Sequence, residues 1–145
     1  MERGVKLFYA ARYYFLTEDS SFIKKNRPLF SLWMDGFLKK MKQDPHGILG
    51  KGRGGDLNTG AYYAHDQAQP WRGMRDMSHI YNELGFTEEA KKFAQGAEKL
   101  KTAVLKAVNA SKIDMDDGSI FMACPLLQSF PPHDPITATK AGTYW

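Results

Sequence analysis

The stretch Tyr81-Asn82-Glu83-Leu84-Gly85-Phe86-Thr87-Glu88-Glu89-Ala90, running on to Val108, decides the fold. Beyond Thr87 the residues Ala90, Phe93, Ala94, Ala97, Leu100, Val104, Leu105 and Val108 recur at helical spacing on one face. Thr87 reads as the N-cap, with Glu88 and Glu89 in the first turn, where the helix dipole favours acids. Upstream, a helix from about Asp66 to Leu84 carries Trp71, Met74, Tyr81 and Leu84 along one side, and Gly85 stops it. The stretch is therefore the tight turn of a helical hairpin.

The same grammar occurs earlier. Tyr13 to Ser20 (YYFLTEDS) matches Tyr81 to Glu88 (YNELGFTE) at an offset of 68 residues, each joining an aromatic-bearing helix to an amphipathic one. The first helix, Gly4 to Leu16, is apolar nearly all round, which places it inside something larger. The second carries Phe30, Trp33, Met34, Phe37, Leu38 and Met41 on one face; Pro28 sits in its first turn or kinks a longer helix that begins near Ser21. Between the hairpins, Gln43 to Gly60 reads as a long Gly-rich loop. After Ser111 the period changes. Residues 113–122, with Asp117-Gly118 at the centre, predict a small β-hairpin, and a Pro-rich stretch from Pro125 to Pro135 follows. The expected fold class is all-α, two helical hairpins with tight turns at one end and long connections at the other. The ending on Tyr144 and Trp145 suggests a boundary drawn inside a domain.

Composition bounds the function. With 145 residues, 43% hydrophobic, 25% charged and 13% aromatic, the chain is no disordered, collagen-like or disulfide-built protein. Cys124 is its one cysteine, and with no thiol to pair with it leaves the redox compartment and the localisation open. Lys6, Arg12, Asp35, Lys39 and Asp76 interrupt every candidate membrane span, so no membrane partner is expected. A net charge of +4, with lysines interleaved among acids, gives no nucleic-acid signal.

Several motifs weaken on inspection. Gly50 to Gly55 matches a dinucleotide-binding pattern but lacks the strand and helix that give it meaning. Asp114, Asp116 and Asp117 resemble the start of a calcium loop, yet Gly118 comes one place early. His46, His65, His79 and His133 have no zinc-ligand spacing, so neither metal nor other cofactor is expected. The segment Gly55 to Arg75 is different. It gathers Asp56, Asn58, Tyr63, Asp66, Gln67, Trp71 and Arg72 at the end of the loop and the start of a helix. Sugars are held by such mixtures, their C–H faces on aromatic rings and their hydroxyls on carboxylates, amides and guanidinium groups. Asp56, Asp66, Trp71 and Arg72 are expected to share one cleft.

Ala11-Arg12-Tyr13-Tyr14 before Glu18-Asp19, Asp56-Leu57-Asn58 before a helix, Leu84-Gly85 followed by Glu89-Ala90, and the closing Ala141-Gly142-Thr143-Tyr144-Trp145 resemble, in that order, the six-hairpin glycosidases. The resemblance spans almost the whole chain. It implies a partial (α/α)6 toroid of about two hairpins, incomplete at its C-terminus, whose long loops build a carbohydrate site at one rim. It further implies inverting hydrolysis of an oligo- or polysaccharide, with Asp56 as a catalytic carboxylate and Trp145 among the sugar contacts. Trehalase-like members carry a Trp-Asp pair ahead of Asp-Leu-Asn; Gly47 to Gly55 has neither Trp nor carboxylate, and the second acid would lie beyond Trp145. An alternative is a tetratricopeptide-like interaction module, although its repeat of about 34 residues is half the offset found here. In either case the open side of the first helix invites self-association.

Overall fold

The computed structural model describes residues 2–54, 57–122 and 125–127. It is mainly helical: α1 (Glu2–Thr17), α2 (Ser20–Gln43), α3 (Ala64–Glu83) and α4 (Thr87–Ala110). Five short strands accompany them, β1 (Gly52–Gly54), β2 (Leu57–Tyr63), β3 (Lys112–Asp114), β4 (Ile120–Met122) and β5 (Pro125–Leu126). The small hairpin expected near residues 113–122 is β3–β4, with Ile113 opposite Phe121 and a turn closed from Gly118 N–H to the Met115 carbonyl at 2.9 Å.

The two αα-hairpins stand side by side in the same orientation. Gly4 lies against the Pro70 ring, Gly73 against the backbone of Leu7 and Phe8, and the Tyr14 hydroxyl donates to Glu83 at 2.8 Å. Both partners advance together along the chain, so α1 and α3 run parallel. The outer pair behaves likewise: Arg27 Nε donates to Glu89 at 2.7 Å, and Met34 packs on Gly96. The core lies where these helices meet. Leu7, Ile23, Met34, Met74, Met77, Ile80, Tyr81, Phe93 and Leu100 are fully buried there.

Both tight turns use a left-handed residue. Gly85 (φ 79°) lets its own N–H reach the Asn82 carbonyl and that of Phe86 reach Tyr81, a Schellman closure in which the Phe86 ring packs 5.9 Å from Tyr81. Glu18 (φ 55°) does the same for α1 with one bond, to the Tyr14 carbonyl at 2.7 Å. Asp19 then caps α2, accepting from the N–H groups of Ser21 and Phe22 at 2.9 and 3.3 Å.

Of the two places open to Pro28, the structure has the second: it lies inside a longer helix that begins at Ser20, with Ile23 before it and Phe30 and Met34 after it on the same core, so burial holds both halves in one helix. Three readings from sequence need correction. The N-cap of α4 is Phe86, with no side-chain cap, because the Schellman turn draws that residue onto Tyr81. Ala94 and Leu105 of the expected apolar face are exposed. The loop Gln43 to Gly60 holds a hairpin: β1 pairs antiparallel with β2, which also pairs with β5. This three-stranded sheet and β3–β4 gather at the end of the bundle opposite the tight turns.

Candidate functional site

The strand-bearing end holds most of the residues singled out in the sequence. β2 runs directly into α3, and Tyr63 caps the helix with its backbone only, its ring buried 5.5 Å from the His65 ring. One turn on, Asp66 is 6% exposed. Neither of its carboxylate oxygens accepts a hydrogen bond among the described residues, although His65 Nε2 lies 3.0 Å from Oδ1. Pro70, in the next turn, removes the N–H that would have bonded the Asp66 carbonyl, and its ring fills the notch left by Gly4.

Asp66 faces a cavity of about 60 Å³, lined also by Lys40 at the end of α2, Gly50, Lys51, Gly52, Gln67 and Pro70. Burial pushes the Asp66 carboxyl above the usual carboxylate range, and the nearby His65 only partly offsets it. The cavity is well short of the ~300–1,000 Å³ of a site that encloses a whole ligand. It fits one hydroxyl-bearing end of a sugar, or a few waters.

The remaining candidates divide. Gln67 is fully buried, and its amide clamps the loop: Oε1 accepts from Leu49 N–H at 2.9 Å, and Nε2 donates to the Gly50 carbonyl at 3.5 Å. It shapes the cavity wall instead of presenting a free amide. Tyr62, its neighbour in space, is tied by its hydroxyl to Asp44 at 2.9 Å, and burial raises that phenol above its ordinary value. Arg72 is held at Asp76, its Nε 2.7 Å from Oδ2, and Arg75 reaches the same carboxylate at 3.2 Å. Asp76 is thereby buried with two cations. Trp71 turns away from Asp66. With Arg75, whose guanidinium lies 5.2 Å from the Trp71 ring centre, it lines a separate groove of about 310 Å³ between α3 and α4.

Asp66 and Trp71 therefore line different concavities and do not share one cleft. Asn58 lies on β2, and Asp56 and Trp145 lie outside the described residues. The sequence missed Lys40 and Lys51 as cavity neighbours. Lys51 had the signal of the basic Gly-rich run, whereas Lys40 is one of several lysines at the end of α2 and carried none.

A buried carboxyl that accepts no hydrogen bond among the described residues, opening on a cavity that Lys40 and Lys51 also line, can accept from a ligand hydroxyl when ionised and donate a proton when neutral. Among the described residues no three His, Cys, Asp or Glu side chains gather where a metal ion could be held. No described helix is long and apolar enough to cross a membrane. Comparison with family models, curated proteins and solved structures gives no significant match.

Proposed function

We propose that the chain is part of a carbohydrate-active (α/α)6 toroid that hydrolyses a glycosidic bond with inversion, and that it supplies one wall of the sugar site at its strand-bearing end. The observation that carries this reading is Asp66: nearly buried, accepting no hydrogen bond among the described residues, and open to a cavity that Lys40 and Lys51 also line. Inverting hydrolysis needs one carboxyl that stays protonated long enough to feed the leaving oxygen, and burial moves a carboxyl in that direction. Parallel hairpins with short turns at one end and strand-bearing loops at the other support the toroid. The helices run 16, 24, 20 and 24 residues, so no consecutive pair fits a tetratricopeptide unit of about 34 residues.

In this reading Asp66 contacts the sugar directly, and Gln67 acts by holding the loop that closes over it. Asp56 remains the alternative acid, nine residues before His65 in sequence. The test is a titration of the isotopically labelled chain with a panel of oligosaccharides, following the amides of Gly50 and Gly52 and the side-chain amide of Gln67. At least one glycan should shift these signals saturably, and Asp66→Ala should abolish the shift while leaving the remaining spectrum in place. A panel that moves none of the three signals overturns the reading.

A further inference from the structure

The 68-residue correspondence between the hairpins assigns each position of α1 a counterpart in α3. Tyr9, Tyr13 and Leu16 match Met77, Tyr81 and Leu84. In the second hairpin Met77 and Tyr81 are fully buried and Leu84 packs on the core. In the first, Tyr9 is 62% exposed, Tyr13 42% and Leu16 84%. The difference does not come from within the hairpins: Tyr13 has its ring partner in Phe22 at 5.0 Å, as Tyr81 has Phe93 at 5.2 Å. Among the described residues, α1 has no neighbouring hairpin on the side away from α3, the side where α3 has α1.

The other end of the array carries the complementary surface. Gly4, Leu7 and Ala11, which face α3, correspond to Arg72, Arg75 and His79, on the side of α3 that faces away from α1. Beside them lies the groove of about 310 Å³, with Trp71 and Arg75 on one wall and Ala94 on the other. Guanidinium groups pack favourably on the faces of tyrosine rings, and the groove has room for such a side chain.

We propose that copies of this chain associate head to tail, the Tyr9 and Tyr13 flank of α1 in one copy seating on the Trp71 and Arg75 groove of the next. The packing continues the parallel arrangement that already joins the two hairpins within the chain. Such an interface is heterologous, leaving one free flank at each end, so assembly proceeds beyond a dimer unless the rotation closes a ring. The proposal uses neither Asp66 nor its cavity, and it differs from the toroid reading in the occupant it assigns to these flanks, a second copy instead of a further hairpin of the same polypeptide.

The test uses sedimentation velocity on the purified chain across a concentration series. The wild-type chain should form species larger than dimers as concentration rises. Tyr9→Glu spoils one surface and Ala94→Arg the other; each alone should weaken association at least tenfold. An equimolar mixture of the two should restore a 1:1 complex and nothing larger, because each variant keeps the surface its partner lacks. Both sites are exposed, and unchanged helical circular dichroism verifies the folds; Leu16→Lys replaces Tyr9→Glu if that variant loses helix. A wild-type chain that stays monomeric at every concentration overturns the proposal, as does a symmetric dimer indifferent to Ala94→Arg. The first of those outcomes assigns the α1 flank to a different occupant, such as a further hairpin in a longer polypeptide.

Discussion

Gly73 sets how closely α3 approaches α1, because a Cβ there would stand 2.8 Å from the Phe8 backbone nitrogen. Gly96 is tight as well, but against the end of the Met34 side chain, which can rotate away. Alanine gains about 1 kcal/mol over glycine in a helix interior, while forcing a backbone apart costs about 1–3 kcal/mol. Gly73→Ala should therefore lose up to about 2 kcal/mol in urea denaturation, while Gly96→Ala, whose neighbour can give way, should keep or gain up to about 1 kcal/mol. Equal stability for both would mean that α1 and α3 are free to separate. Asp66 gives a pH-dependent counterpart. Its folded carboxyl titrates above its unfolded value because burial disfavours the charge, so the stability it contributes is full below the unfolded pKa, ~3.9, and is lost as pH rises through the folded value. Asp66→Asn, which has no charge to bury, should melt above the wild type at neutral pH, and the difference should shrink towards zero as pH falls to about 3. A difference that is constant from pH 3 to 7 would place the carboxyl in water.

At the scale of elements, the two tight turns solve one problem with different residues. Glu18 holds a left-handed conformation that costs a side-chain-bearing residue about 1–2 kcal/mol, whereas Gly85 holds it freely. Glu18→Gly should stabilise the fold by the part of that strain left after glycine's extra unfolded-state entropy, about 0.5–1 kcal/mol, seen as a raised melting midpoint. No gain would mean that Glu18 is compensated by contacts of its own. These turns and the helices around them were legible in the sequence, because a 3.6-residue apolar period and a Gly or Asp at a helix end are local signals. Residues 52–63 were not: GRGGDLNTGAYY has too many glycines for alternation to show, and its pairing depends on β5, more than sixty residues later. Pro28 was ambiguous for a related reason, since a helix continues through proline only when tertiary burial on both sides outweighs the lost hydrogen bond. The site was half legible. The cluster from Asp56 to Arg72 marked the strand-bearing end of the bundle, where the Asp66 cavity lies, but whether the Gln67 amide is free depends on partners distant in sequence. Gln67 is committed to Leu49 and Gly50, and Gln67→Leu should leave that N–H without its acceptor. The expected result is a loss of about 1 kcal/mol and faster amide exchange at Leu49 with helical exchange unchanged.

At the scale of the whole molecule, the parallel hairpins place the strand-bearing connections of the described residues at one end and their two short turns at the other. A site that needs loops from several hairpins is thus assembled by lateral packing, and one pair of hairpins presents only a sector of it. The Asp66 cavity contains a single carboxylate among its described lining residues. Inverting hydrolysis needs two, about 6.5–9.5 Å apart, one to protonate the leaving oxygen and one to activate water. Binding and turnover should therefore separate in this chain. On the proposed reading, hydroxyl contacts at Asp66 remain in this chain, whereas no second carboxylate among the described lining residues stands ready to activate water. The 145-residue chain should bind a glycan of its class weakly and show no saturable hydrolysis of any member of the panel, measured by reducing-end release over long incubation. Turnover that saturates and vanishes in Asp66→Asn would mean that a second acid is supplied within the chain, from Asp56 or from residues 128–145, or from a neighbouring copy. Mixing inactive Asp66→Asn chains with association-deficient Tyr9→Glu chains would then distinguish the two sources, since only a site shared between copies gains activity on mixing.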